Sequence, residues 1–230
     1  MADSVQESGW QSKLPSQILR LLTEGGLVLF LKNLLDAWEV WTQLRDRVRY
    51  HGMYETLDYN STLDLSDPTG ENATISRHQV IRFLQDNVVA IHDHAWGDGK
   101  LFARYSCRPG VPVDFYQDGS KHNVLISLRE TKNRGDVIEF SADRTIAGGF
   151  LGKNEYLETE VDHLTARLRL AIIFPKDRPC LRATLTRKTA SKTEVLDERH
   201  FKTLGSGRQE LSLTINRPRL HECYLVKWDW

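Results

Sequence analysis

The sequence predicts a mainly β protein: an antiparallel β-sandwich, with a β-barrel as the alternative closure, preceded by an N-terminal amphipathic α-helical segment. Three observations predict it. Beyond Gly52, apolar residues recur at every second position. Gly- and Pro-containing turn signals separate these runs at short intervals. Before Gly52 the apolar spacing is three and four, the period of a helix.

The first thirteen residues are polar and mixed in charge, and read as a flexible N-terminus. Residues 14–51 read as the helical segment. Leu14-Pro15-Ser16 opens a short helical stretch, and Gly25-Gly26 bends or breaks it. Leu27, Leu31, Leu34, Trp38, Trp41, Leu44 and Val48 then fall on one stripe, while Lys32, Asp36, Glu39 and Gln43 lie away from it. His51-Gly52 ends the pattern.

Residues 52–230 read as the β domain. Leu168, Leu170, Ile172 and Phe174 alternate with Arg167, Arg169, Ala171 and Ile173. Leu181, Ala183 and Leu185 do the same, as do Val124, Ile126 and Leu128, and Leu211, Leu213 and Ile215. The last run places Tyr224, Val226, Trp228 and Trp230 on one face, as core anchors. Turns are expected at Asp67-Pro68-Thr69-Gly70, Trp96-Gly97-Asp98-Gly99, Arg108-Pro109-Gly110, Asp118-Gly119, Arg134-Gly135-Asp136, Gly148-Gly149 and Gly205-Ser206-Gly207. About nine or ten short strands without intervening helices suit a sandwich.

Composition excludes several classes. The chain has 230 residues, 40% hydrophobic and 27% charged, an ordinary globular balance. Lys+Arg and Asp+Glu are equal at 31, which argues against generic attraction to nucleic acid or anionic lipid. The longest apolar run, Leu27–Leu31, is far short of the ~20 residues that span a bilayer. Cys107, Cys180 and Cys223 are sparse and unpaired in spacing, which fits reduced core thiols and a cytoplasmic location. The N-terminus lacks the pattern of a secretory signal, so the Asn-x-Thr patterns at Asn60 and Asn72 carry no weight as glycosylation sites.

The best local candidate for chemistry is Ile91-His92-Asp93-His94-Ala95-Trp96-Gly97-Asp98-Gly99. On a strand, His92 and His94 share a face about 7 Å apart, and Asp98 adds an oxygen from the turn, so the three form a candidate metal set. The His-x-His pair resembles the opening of a cupin-type metal site, and the resemblance covers those two histidines. It implies a metal-dependent β-barrel enzyme. A cupin would continue with a glutamate and a third histidine, whereas position 98 is Asp and His122, His163, His200 and His221 lie in no second motif. Trp96 reads as a structural cap on the core.

Arg167, Arg169 and Arg182 lie on predicted strands and are candidate phosphate contacts, with nucleic acid as a less favoured ligand. Glu155, Glu158, Glu160 and Asp162 are expected to neutralise them across strands. No nucleophile elbow, phosphate loop or dinucleotide fingerprint is present.

The expected function is therefore a non-catalytic binding or adaptor module without a cofactor. Its β-sandwich would recognise a protein or small ligand. Leu27, Leu31, Leu34, Trp38 and Trp41 would dock a protein partner or a second copy. The cupin-like metalloenzyme and a phosphate- or nucleic-acid-binding arginine face are the alternatives.

Overall fold

The structure, a computed structural model, describes residues 52–230. The expected helix at 14–51, with its stripe Leu27, Leu31, Leu34, Trp38 and Trp41, lies outside the described residues.

Fourteen strands fill the described region: β1 Tyr54–Asp64, β2 Asn72–Phe83, β3 Val88–Ala95, β4 Lys100–Arg108, β5 Val111–Asp118, β6 Lys121–Lys132, β7 Val137–Ala147, β8 Asn154–Glu160, β9 Arg167–Phe174, β10 Arg182–Arg187, β11 Lys192–Leu196, β12 Phe201–Thr203, β13 Gln209–Asn216 and β14 Cys223–Asp229. They form three open sheets. A seven-stranded sheet has the order β12-β13-β9-β1-β2-β7-β4, a four-stranded sheet β11-β10-β14-β8, and a three-stranded sheet β3-β6-β5. None closes into the barrel kept as the alternative. The expectation of purely antiparallel pairing also needs correction, because β1 pairs with β9 in parallel, Tyr59 opposite Leu168 and Asp64 opposite Ile173.

The turns form as their residues dictate. Asp67 accepts hydrogen bonds from the backbone N–H and hydroxyl of Thr69 and from the N–H of Asn72. Gly70 follows with φ +76°, and the carbonyl oxygen of Phe150 occupies the space a Cβ would need. Only glycine fits that position.

One face of the seven-stranded sheet serves two separate cores. Along β2, Ala73 and Ile75 pack into one core, and Ile81 and Phe83 into the other. Along β7, Ile146 joins the first, and Ile138, Phe140 and Ala142 the second. The four-stranded sheet covers the first core with Leu157, Ala183, Leu185, Val226 and Trp228. The three-stranded sheet covers the second with Val88, Ile91, Val124 and Ile126. Tyr224, Val226, Trp228 and Trp230 are all buried on this inner side. Leu181 departs from the alternation expected for it: it precedes β10 and is 77% exposed. No helix among the described residues is long and apolar enough to cross a membrane.

Candidate functional site

Between the two cores, the inner face of the large sheet carries charged residues. The inward parity of β2 runs Ile75, Arg77, Gln79, Ile81, and that of β7 runs Phe140, Ala142, Arg144, Ile146. Register places Arg77 opposite Ala142 and Arg144 opposite Ile75. The two arginines are therefore diagonal neighbours on adjacent strands. Above them lies a cleft of about 180 Å³, walled by β3 on one side and β8 on the other.

Asp93 enters the cleft from β3. It is 3% exposed and on the same parity as Ile91 and Ala95. Its carboxylate accepts from Arg77 Nη1 at 2.6 Å and from the Tyr105 hydroxyl at 2.9 Å. Burial alone would raise the Asp93 pKa, but Arg77 and then Arg144 outweigh it and hold the carboxyl below its ordinary value. Burial also pushes the Tyr105 hydroxyl well above its ordinary range. Arg144 donates to the His94 carbonyl at 3.3 Å, and its guanidinium sits over the Phe102 ring. The Arg144 side chain is half-buried as a whole, yet its Nε is closed off from solvent and has no partner among the described residues.

The mouth of the cleft holds a second group. His94, Glu160 and Asp162 each offer a ligand atom, and these lie within 4.8 Å of one another. His94 Nε2 is 3.2 Å from Asp162 Oδ2, and Lys121 Nζ is 2.8 Å from Glu160 Oε2. Burial lowers the His94 pKa and raises that of Asp162, moving both toward their neutral forms. Trp96 stacks on His94 with ring centroids 5.3 Å apart, and Lys121 Nζ lies 5.2 Å from the Trp96 ring centroid. Trp96 is thus part of the cleft wall. His163 stacks on Tyr54 at 4.0 Å, and burial brings its pKa down to about 4.

His92, His94 and Asp98 all line the cleft, but His92 and Asp98 are exposed. The ligand-capable group that forms among the described residues contains His94 with Glu160 and Asp162 in their place. The strand arginines separate. Arg167 forms two bonds to Asp58, at 2.7 and 2.8 Å. Arg169 faces Glu210 at 3.5 Å. Arg182 stands exposed in the four-stranded sheet, away from the other two. The acidic run 155–162 does not neutralise them, because β8 pairs with β14 and places Glu158 on Lys188 and Glu160 on Lys121, while Asp162, just beyond β8, faces His94.

Asp93, Arg77, Tyr105 and Arg144 are not among the candidate residues that the sequence singles out. The signal was a charged residue at core parity: if His92 and His94 share the outer face, Asp93 shares the inner one with Ile91 and Ala95.

No protein-family model and no curated protein sequence matches the chain. Among solved structures, the chain is similar to an M1 zinc metallopeptidase from Deinococcus radiodurans, with 10% identity over 75% of this chain and 42% of that one, at a TM-score of 0.45. It is also similar to a putative protease from Parabacteroides distasonis, with 11% identity over 77% of this chain and 40% of that one, at a TM-score of 0.46. The chain thus spans less than half the length of these proteins. Likeness at this level transfers no activity.

Proposed function

We propose that residues 52–230 form a non-catalytic binding module of sandwich-like layering that takes a small ligand in the cleft between β3 and β8. One observation carries this reading. Of the six buried polar or charged residues among those described, Thr56, Ser61, Gln79, Asp93, Glu210 and Glu222, the first four line this one cleft. Polar groups are costly to bury, and a concave site with a few convergent polar groups is the usual form of a ligand pocket. The test is a thermal-shift screen of small organic ions and neutral metabolites on the full chain and on Thr159→Trp. Thr159 is half-buried and lines the cleft, so an indole there takes up cleft volume. At least one compound should raise the melting temperature of the parent protein and have no effect on the variant. A panel with no such compound removes the reading.

A second reading follows from the group at the mouth. The 3.2 Å between His94 Nε2 and Asp162 Oδ2 is close to the roughly 3.3 Å separating two ligands on a tetrahedral zinc bound at about 2.0–2.1 Å. In this reading His94, Glu160 and Asp162 hold a divalent ion, and the protein is a metal-dependent module. Calorimetric titration with zinc alone should then give one equivalent, lost in His94→Ala and kept in His92→Ala. Absence of saturable zinc binding sinks it.

For residues 14–51 the proposal is docking or self-association in the cytoplasm through Leu27, Leu31, Leu34, Trp38 and Trp41, resting on their helical spacing alone. Light scattering on the full chain beside a chain starting at Gly52 tests it. An aggregating truncation would instead assign that stripe to the β domain.

A further inference from the structure

Two guanidinium groups enter the cleft, and one buried carboxylate answers them. Arg77 bonds to Asp93 through Nη1, while Arg144 bonds no carboxylate and has only the His94 carbonyl at 3.3 Å; the Nε of each is solvent-excluded and without a partner among the described residues. Of the other described carboxylates around the cleft, Asp98 stands exposed at the rim and the rest are engaged elsewhere. Glu155 accepts from the Gly152 N–H, Glu158 from Lys188 and Cys223, and Glu160 from Lys121, while Asp162 faces His94. The inner cleft therefore holds two positive charges against one negative. Burial without enough counter-charge lowers the Arg144 pKa below its ordinary value, although an arginine remains charged at neutral pH.

Resting on the cleft reading above, we infer that Arg144 is the anchor for one carboxylate group of a small organic anion. A guanidinium fork matches a carboxylate in shape, and a buried cation is stabilised by a desolvated anion far more than by bulk solvent at a distance. The charge count selects the class. One negative charge completes the set formed by Arg77, Arg144 and Asp93. A dianionic phosphate would overshoot it and would bring a second charge toward Glu160 and Asp162.

The experiment uses the full chain, with acetate and benzoate as probes, inorganic phosphate as the competing chemistry and chloride at matched ionic strength as the control. Melting temperature and the ¹⁵N-correlated Nε–H signals of the arginines are followed during each titration. Acetate or benzoate should raise the melting temperature saturably and shift the Arg144 Nε–H signal, while chloride does neither. Arg144→Met should weaken the response about tenfold or more, the loss expected for a hydrogen bond to a charged group. Arg144→Lys keeps the charge without the fork and should fall between the two. A carboxylate response no larger than that of chloride, or one that survives in Arg144→Met, overturns the inference. Tighter binding of phosphate than of either carboxylate overturns the class assigned to the anion. Compounds blocked by Thr159→Trp but indifferent to Arg144→Met would overturn this inference alone and leave the cleft reading standing. A panel with no cleft-dependent compound would remove both.

Discussion

The two faces of the seven-stranded sheet carry the same residue type to different ends. On the outer face, Arg167 and Arg169 lie on β9, about half exposed, each with a carboxylate from a neighbouring strand, Asp58 on β1 and Glu210 on β13. On the inner face, Arg77 and Arg144 are largely shut off from water and share Asp93. In solvent a charge is cheap to hold and weak in its pairings. Out of solvent every missing partner costs free energy. An arginine thus marks a site where its counter-charge is short, and the inner face is where it is short here.

Three measurements would break or sharpen that contrast. The largest effect is expected at Asp93. Asp93→Asn keeps the bulk and the Tyr105 contact but strands two buried cations, and should lower unfolding stability by about 3–5 kcal/mol in urea titration. A loss well under about 1 kcal/mol, the size of a surface pair, would show that the inner arginines are as well solvated as the outer ones.

The next effect is pH-dependent. Above the ordinary imidazole pKa, about 6.5, His163 is neutral in both folded and unfolded chains. Between that value and about 4, the unfolded chain binds a proton that the folded one refuses. His163 therefore makes stability fall as acid is added through this window. His163→Phe keeps the stack on Tyr54 and removes the proton site. Its urea midpoint should drop less than that of the parent between pH 7 and pH 4.5. Equal drops would mean that His163 is as freely hydrated as an outer-face group.

The smallest effect belongs to the outer face. Arg167→Ala should lower stability by no more than about 1 kcal/mol in moderate salt, because the Arg167 guanidinium is more than half exposed and screened, although Asp58 is half-buried. A clear loss there would erase the distinction between the faces.

The strands with one buried face were legible in advance. Leu168, Leu170, Ile172 and Phe174 are buried on β9 as their alternation required, and so are Val124, Ile126 and Leu128 on β6. The count of nine or ten falls short of the fourteen strands, and some of these carry little of that signal. β5 buries no residue, β12 has three residues and β11 five, so neither period nor length announces them. The division of one sheet face between two cores was not legible, because Ala73 and Ile81 look alike in sequence while packing under different sheets. Of the cleft, His94 was legible and Asp93 beside it was not. The histidines drew attention to their own face, and the parity of Ile91 and Ala95 pointed to the other. Arg77 and Arg144 were hidden for the same reason: a lone charge in an alternating run reads as a solvated position until the strand's buried face is known.

The parallel pairing of β1 with β9 also sets an order of events on the ribosome. β1 and β2 form a hairpin and can pair as soon as both have been made. The other edge of β1, from Tyr59 to Asp64, waits for β9, and all of β2 to β8 must be synthesised first. Until then that edge offers unpaired N–H and C=O groups to any other extended chain nearby. Closing so long a loop costs more chain entropy than closing the β1–β2 hairpin, so of the two edges of β1 the one facing β9 is the later to be covered.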